Sequence, residues 1–180
     1  MSLDPEQSSI LRRSAVAIAV TVAVLVAGYV WRPPGFFGLS NSMGVGERLA
    51  FALKVDLLIF LWLAGCVRAV ASGRFRSKAD RPGAAYSPPS EFLAVRAAVL
   101  QNSLEQTVLA AGSHLILATV LRGAELVLIP LLVILYLAGR IAFAATYAKG
   151  AAARAFGMAL TGTSVVAGYG IAAGLIIAGR

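Results

Sequence analysis

The sequence predicts an all-α fold, a bundle of helices that is integral to a membrane. Of its 180 residues, 59% are hydrophobic and 13% are charged, and the mean hydropathy is +0.82. Soluble domains carry about 25% charged residues, so this composition excludes an ordinary soluble domain. Five long apolar segments are rich in Ala and Leu and do not alternate between apolar and polar residues, which argues against membrane strands.

The five segments are each long enough to cross a bilayer, whose hydrocarbon core of about 30 Å needs roughly 18 or more apolar residues. They run over residues 11–31, 48–71, 92–121, 125–147 and 155–179. The first resembles a signal peptide, with Val26-Ala27-Gly28 as a weak cleavage site. It is long for such a peptide, and Tyr29 and Trp31 are typical of a membrane interface, so we favour a retained anchor helix.

The connections between the segments contain turn-forming and basic residues. Arg32-Pro33-Pro34-Gly35 ends the first segment, and Arg122-Gly123 forms a tight turn between the third and the fourth. The largest loop is residues 72–91, and residues 148–154 join the fourth segment to the fifth. In the fifth, Gly170-x-x-x-Gly174 is a pattern that lets membrane helices approach each other closely.

The basic residues are distributed unevenly between the two ends of the segments. With the N-terminus inside, the cytoplasmic flanks hold Arg12, Arg13, Arg68, Arg74, Arg76, Lys78, Arg81, Lys149 and Arg154. The opposite flanks hold Arg32, Arg48, Arg122 and Arg180. Because cytoplasmic loops carry the excess of Lys and Arg, we predict a cytoplasmic N-terminus and a cytoplasmic 72–91 loop.

Other functional classes are disfavoured by the same features. The net charge of +8 does not form one basic patch but is spread between apolar segments, so we predict no nucleic-acid partner. Cys66 is the single cysteine, and no Cys/His cluster with metal-ligand spacing occurs in the sequence, so we predict no metal site. A buried, inert thiol is the expected state of Cys66.

The third segment carries polar residues on two faces. Gln101, Asn102 and Glu105 share one face at helical spacing, and Arg96, Ser103, Thr107 and His114 lie on nearly the opposite one. Ionisable groups in hydrocarbon are costly, which makes them candidates for a functional site. For Ser103 and Thr107 we favour a structural role, because hydroxyls can bond back to their own helix. For Asn102 and Glu105 we favour function over a structural hydrogen-bond network.

The depth of charged residues in the bilayer predicts two contacts. At about 1.5 Å rise per residue, Glu105 and Arg140 lie at the same level, so an ion pair between them is available. That pair is either structural or the wall of a site for an anionic ligand. Asp56 and His114 also share a level, and a satisfied structural pair is favoured over a proton relay.

These residues resemble the MAPEG family, the membrane-associated proteins of eicosanoid and glutathione metabolism, in its bacterial members. The resemblance rests on Asn102-x-x-Glu105 and on the spacing Arg140-x6-Tyr147-x6-Arg154, and it covers roughly residues 48–179. Three family positions differ, with Ala98 in place of an arginine, Phe143 in place of a tyrosine and Gln106 in place of an aromatic residue. We therefore predict a MAPEG-like four-helix domain over residues 48–180 and an additional transmembrane helix within residues 1–47.

The resemblance implies a homotrimer that binds glutathione between neighbouring subunits near the cytoplasmic side. Arg154 matches the arginine that stabilises the thiolate. The ligand-binding residues would be Asn102, Glu105, Arg140, Tyr147 and Arg74. The implied function is a glutathione-dependent transferase or peroxidase acting on a lipophilic electrophile, in the bacterial inner membrane.

Two alternatives to this function remain open. The first is a protein that binds a lipid or a partner on the same scaffold without catalysis, so whether the chain is an enzyme is undecided. The second is a small proton-coupled carrier that uses Asp56, His114 and Glu105. It is disfavoured because the sequence has neither an inverted repeat nor interrupted helices.

Overall fold

The all-α prediction is confirmed by a computed structural model, which describes residues 3–31, 39–40 and 42–180. The described residues form five long helices: α1 (Pro5–Trp31), α2 (Val45–Arg76), α3 (Glu91–Val120), α4 (Leu128–Thr146) and α5 (Ala151–Ile177). Short 3₁₀ helices at Gly123–Val127 and Tyr147–Lys149 flank α4. The predicted Arg32-Pro33-Pro34-Gly35 turn lies outside the described residues.

Four stretches are long and apolar enough to cross a membrane: Pro5–Trp31, Val45–Arg76, Gly123–Lys149 and Ala151–Ile177. The remaining long helix, α3, is not among them. Its 30 residues span about 45 Å and are long enough to cross a membrane, but its polar side chains lower its hydropathy. A helix of this kind needs partners for its polar face, and the bundle supplies them on one side. That α3 also crosses the membrane, which would make five crossings in total, therefore remains a prediction.

The centre of the bundle is α4, which packs against the other four helices. Its side chains Ile129 and Leu132 are fully buried, together with Leu117 of α3 and Leu126 of the preceding 3₁₀ helix. The outermost helix, α1, packs on α5 and α4, and α2 packs on α3. The site described below lies where α3, α4 and α5 meet.

The closest helix crossing joins α4 to α5 through two glycines. A Cβ on Gly157 would lie 2.7 Å from the Gly139 carbonyl oxygen and 2.8 Å from Phe143 Cα. Since backbone atoms cannot move aside, only glycine fits there. A Cβ added to Gly170 or Gly174, in the pattern expected to allow close packing, would meet no atom of another described element within 4 Å. The close approach within the chain is thus made by a different pair.

Helix boundaries differ from the expected ones at the end of α2 and at the start of α5. α2 continues through Arg76, five residues beyond its expected end, because its last turn is still capped by backbone bonds to the Ser77 amide. α5 begins at Ala151 instead of residue 155. The turn before it is made by Gly150, whose φ of 100° favours glycine. This turn brings Arg154 into the first turn of α5.

The loop between α2 and α3 is organised by Asp80. Its Oδ1 and Oδ2 accept hydrogen bonds from the Ser90 amide and hydroxyl, both at 2.7 Å. Ser90 in turn caps the N-terminus of α3 by accepting from the Leu93 amide. The pKa of Asp80 is lowered, first by the Ser90 backbone bond, then by Ser77 and Ser90 side chains, with a further contribution from Arg74.

We expect this loop to loosen in acid, because Asp80 stabilises it only while ionised. A lowered folded pKa means that the stabilisation is complete above the ordinary value of 3.8 and is lost as the pH falls through the folded value. Hydrogen exchange in the loop, corrected for intrinsic rates, should rise below that pH. Asp80→Asn should show faster exchange already at neutral pH. Equal exchange in the variant and the wild type would refute the role of Asp80 in holding the loop.

Candidate functional site

The site is built around a buried cation, Arg140 on α4, which is 0% exposed. Its Nη1 donates to Asn102 Oδ1 of α3 at 2.6 Å, and its Nε donates to Thr161 Oγ1 of α5 at 3.0 Å. The guanidinium also lies 4.5 Å above the Phe143 ring and 3.7 Å from Met158 Sδ. A buried guanidinium with these partners ties the three helices together.

A row of aromatic and basic side chains continues from Arg140 along α4 to the first turn of α5. The Phe143 and Tyr147 rings meet edge to face, with centroids 5.2 Å apart. The Arg154 guanidinium lies 4.4 Å over the Tyr147 ring. Tyr147 is placed by the 3₁₀ turn after α4 and Arg154 by the first turn of α5, so the short Gly150 turn positions both.

A pocket of about 350 Å³ opens beside this row. It collects three of the predicted site residues: Asn102 from α3, Tyr147 from the 3₁₀ turn after α4, and Arg154 from α5. Its remaining lining comprises Ile10, Phe143, Ala151, Ala155 and Met158. The volume is within the range of about 300–1,000 Å³ that is usual for small-molecule sites.

The expected Glu105–Arg140 ion pair is replaced by the Asn102–Arg140 hydrogen bond. Glu105 is exposed, and its Oε1 accepts from Gln101 Nε2 at 3.0 Å on the same helix. The predicted depth of Arg140 relative to α3 was correct to within one helical turn. Glu105, however, lies about 60° around α3 from Asn102. Asn102 therefore faces α4, while Glu105 faces the outside of the chain.

Two other predicted ligand-binding residues lie away from the pocket wall. Arg140 is fully buried and already has partners, so it holds Asn102 instead of facing the cavity. Arg74 lies exposed near the end of α2, on the side of the Asp80 loop, and does not line the pocket.

Glutathione's chemistry suits the residues that do line the pocket, because an amide, a phenol and a guanidinium can bind a peptide thiol with carboxylates.

The inward polar face of α3 makes structural contacts, as favoured for its hydroxyls. Thr107 Oγ1 donates to the Ser103 carbonyl at 2.7 Å and lies 2.6 Å from Tyr136 Oη. Trp62 Nε1 donates to Ser103 Oγ at 3.2 Å. These bonds join α3 to α2 and α4 just below the site.

The predicted Asp56–His114 contact is confirmed. Asp56 Oδ1 lies 2.6 Å from His114 Nδ1, and both side chains are buried between α2 and α3. The two groups pair on those atoms, whereas Asp56 Oδ2 is buried and has no hydrogen-bond partner among the described residues. The preference for a structural pair over a proton relay stays a prediction.

A second, larger groove of about 730 Å³ lies between α2 and α3, next to the last turn of α4. Trp62, Cys66, Phe92 and Arg96 line it. Cys66 is half-buried on this groove, in contrast to the buried thiol expected from the sequence. Arg96 lies 3.9 Å over the Phe92 ring and donates to the Ala69 carbonyl. Among the described residues, no three His, Cys, Asp or Glu side chains group together as metal ligands would.

Four residues of the pocket escaped the sequence analysis: Ile10, Ala151, Ala155 and Met158. An isolated apolar residue in an apolar helix carries no pattern that distinguishes a pocket wall from a lipid contact. Only the packing of α1 on α5 brings Ile10 to this place.

The fold and the polar site define an integral membrane protein with an intramembrane site at the junction of three helices. The model of the MAPEG family matches residues 50–174, and the chain belongs to that family. The family is one of membrane proteins of the glutathione transferase and eicosanoid type. Comparisons with curated proteins and with solved structures give no match. The matched residues contain α3, α4 and all but the last turn of α5, and they leave out α1.

Proposed function

We propose that this protein is a glutathione-dependent transferase or peroxidase that acts on a lipophilic electrophile from the bilayer. We place it in a bacterial inner membrane with its N-terminus, and hence its pocket, at the cytoplasmic side. The observation that carries the proposal is the position of Arg154, a half-buried cation in a pocket that also holds Asn102 and Tyr147.

Arg154 is suited to stabilising a thiolate. A guanidinium stays protonated at every relevant pH, and a cation beside a thiol increases the nucleophilic fraction. Stacking on Tyr147 holds it in place. Arg154 also lies in the first turn of α5, whose N-terminal amides and dipole favour negative charge. When bound, glutathione would supply the nucleophilic sulfur, and these groups would hold it as the thiolate.

Asn102 is suited to binding the peptide part of the ligand. Its Oδ1 is taken by Arg140, which leaves the Nδ2 group free to donate to a carboxylate or carbonyl. In this arrangement Arg140 is a positioning residue that acts through Asn102.

The direct test of the proposed function is the thiolate absorbance of the purified protein with saturating glutathione. Absence of that signal would reject the enzyme function.

The second candidate is a lipid-binding protein without catalysis, which the groove between α2 and α3 favours. Its walls are apolar, with Trp62 and Phe92, and Arg96 lies at one end. A protein of this kind would not need Arg154. An unchanged lipid-binding affinity in Arg154→Ala, together with no thiolate signal in the wild type, would support it.

We further propose a homotrimer, on the basis of the family resemblance and of the outer face of α3. Gln101, Leu104, Glu105 and Val108 form an exposed stripe at helical spacing, with Val108 63% exposed. An ionisable side chain facing lipid is costly, so Glu105 calls for a protein neighbour or an aqueous cleft. Copies of the chain meeting at α3 would meet this need and would place Glu105 beside a neighbour's site.

The mass of the protein in detergent is expected to be that of three chains, after correction for bound detergent. A substitution in the stripe, Val108→Lys, should shift the mass towards that of one chain, while Ile134→Lys on the exposed face of α4 serves as its control. A wild-type monomer with full glutathione binding would refute a site shared between subunits.

A further inference from the structure

We propose that α1 forms one wall of the pocket and that Ile10 limits the size of the group that can reach Arg154. Ile10 is then a specificity-determining residue for the lipophilic electrophile, an assignment that rests on the proposed function. The family match begins at residue 50, so this wall belongs to a part of the chain outside the matched residues.

α1 is held against the bundle from Ala17 to Gly28. Its inward stripe contains Ala17, Thr21 and Leu25, which are 0%, 2% and 8% exposed. Thr21 Oγ1 lies 3.0 Å from Thr163 Oγ1 of α5, which is a polar link between two membrane helices. Near the other end, Gly28 lies against the Leu131 side chain of α4. A helix anchored at these points is not free to swing away.

The same stripe continues to Ile10, seven residues before Ala17, and there it meets the pocket. Ile10 is half-buried and faces the cavity that contains Tyr147 and Arg154. The other lining residues all come from α3, α4, the following 3₁₀ turn and α5. Ile10 therefore encloses the pocket on the side of α1.

A branched aliphatic side chain at this position has two consequences. It excludes part of the volume beside the guanidinium, and it presents an apolar surface to whatever enters. One methylene group more or less in such a pocket alters selectivity by roughly 10- to 200-fold. An electrophile with a compact apolar group would fit beside Ile10, and a bulkier one would be excluded.

The experiment measures access to the pocket without glutathione. In full-length protein with Cys66→Ala, the substitution Ala151→Cys places a thiol on the pocket wall. Its reaction rate is measured with N-ethylmaleimide and with the bulkier N-pyrenylmaleimide. Ile10→Ala should raise the ratio of bulky to small reagent roughly tenfold, and Ile10→Trp should lower it. Leu11→Ala, at a neighbouring side chain that is 54% exposed, should leave the ratio unchanged.

A ratio that is the same in Ile10→Ala, Ile10→Trp and the parent protein would overturn the proposal. So would an equal response in Leu11→Ala. Conjugation of glutathione to a bulky and a small electrophile should show the same order of kcat/KM ratios. A changed labelling ratio without any thiolate signal would reject the proposed function and support the size limit set by Ile10. An unchanged ratio with a normal thiolate signal would reject the size limit and support the proposed function.

Discussion

Arg154→Ala is expected to abolish the thiolate signal at saturating glutathione and to leave the fold intact. The Arg154 guanidinium is half-buried and stacks on the Tyr147 ring at the side of the pocket. Its removal therefore opens space in the pocket and not in the core. Loss of an adjacent cation should decrease the thiolate fraction at neutral pH by roughly tenfold or more. Ultraviolet absorbance of the complex measures the thiolate, and thermal unfolding measures the fold.

Two further variants separate charge from binding. Arg154→Lys keeps the charge but loses the planar group that stacks on the ring, so it should retain part of the signal. In the proposed trimer, where Glu105 lies beside a neighbour's site, Glu105→Gln should weaken glutathione binding and recover the full signal at saturation. The reason is that a carboxylate would oppose thiolate formation and suits an ammonium group better. A full thiolate signal in Arg154→Ala would show that another group stabilises the anion.

Gly157→Ala is expected to destabilise the protein strongly, by about 3 kcal/mol, which is at the upper end for overpacking a core. The added methyl group would meet the Gly139 carbonyl oxygen at 2.7 Å and the Phe143 backbone, so α4 and α5 must separate. Separation would also shift Arg154 relative to Asn102. A lowered Tm in detergent and weaker glutathione binding are the expected readouts.

The matched control is Gly162→Ala, five residues later on the same helix. A Cβ there meets nothing within 4 Å, so this change adds a methyl group without a clash. Its Tm should equal or slightly exceed that of the wild type, since Ala is the better helix former. Equal Tm values for the two variants would mean that α4 and α5 are not in close contact at Gly157.

The sequence by itself determined the class of protein and the approximate helices. Long apolar segments form helices in a membrane because every backbone polar group must be satisfied within the segment, which is a local requirement. Depth was also accessible, since the rise per residue is constant; it placed Asp56 level with His114 correctly. The Asn102, Tyr147 and Arg154 set was accessible through the family resemblance.

The tertiary structure decided which side chains face each other. A rotation of about 60° around α3 separates Asn102, which binds Arg140, from Glu105, which does not. Rotation follows from how neighbouring helices pack, here from the packing of α3 on α2, α4 and α5. The packing of α1 on α5 likewise makes Ile10 a pocket wall. Helix identity depends on neighbours along the chain, whereas helix orientation depends on contacts between residues far apart in the chain, and only the folded bundle contains that information.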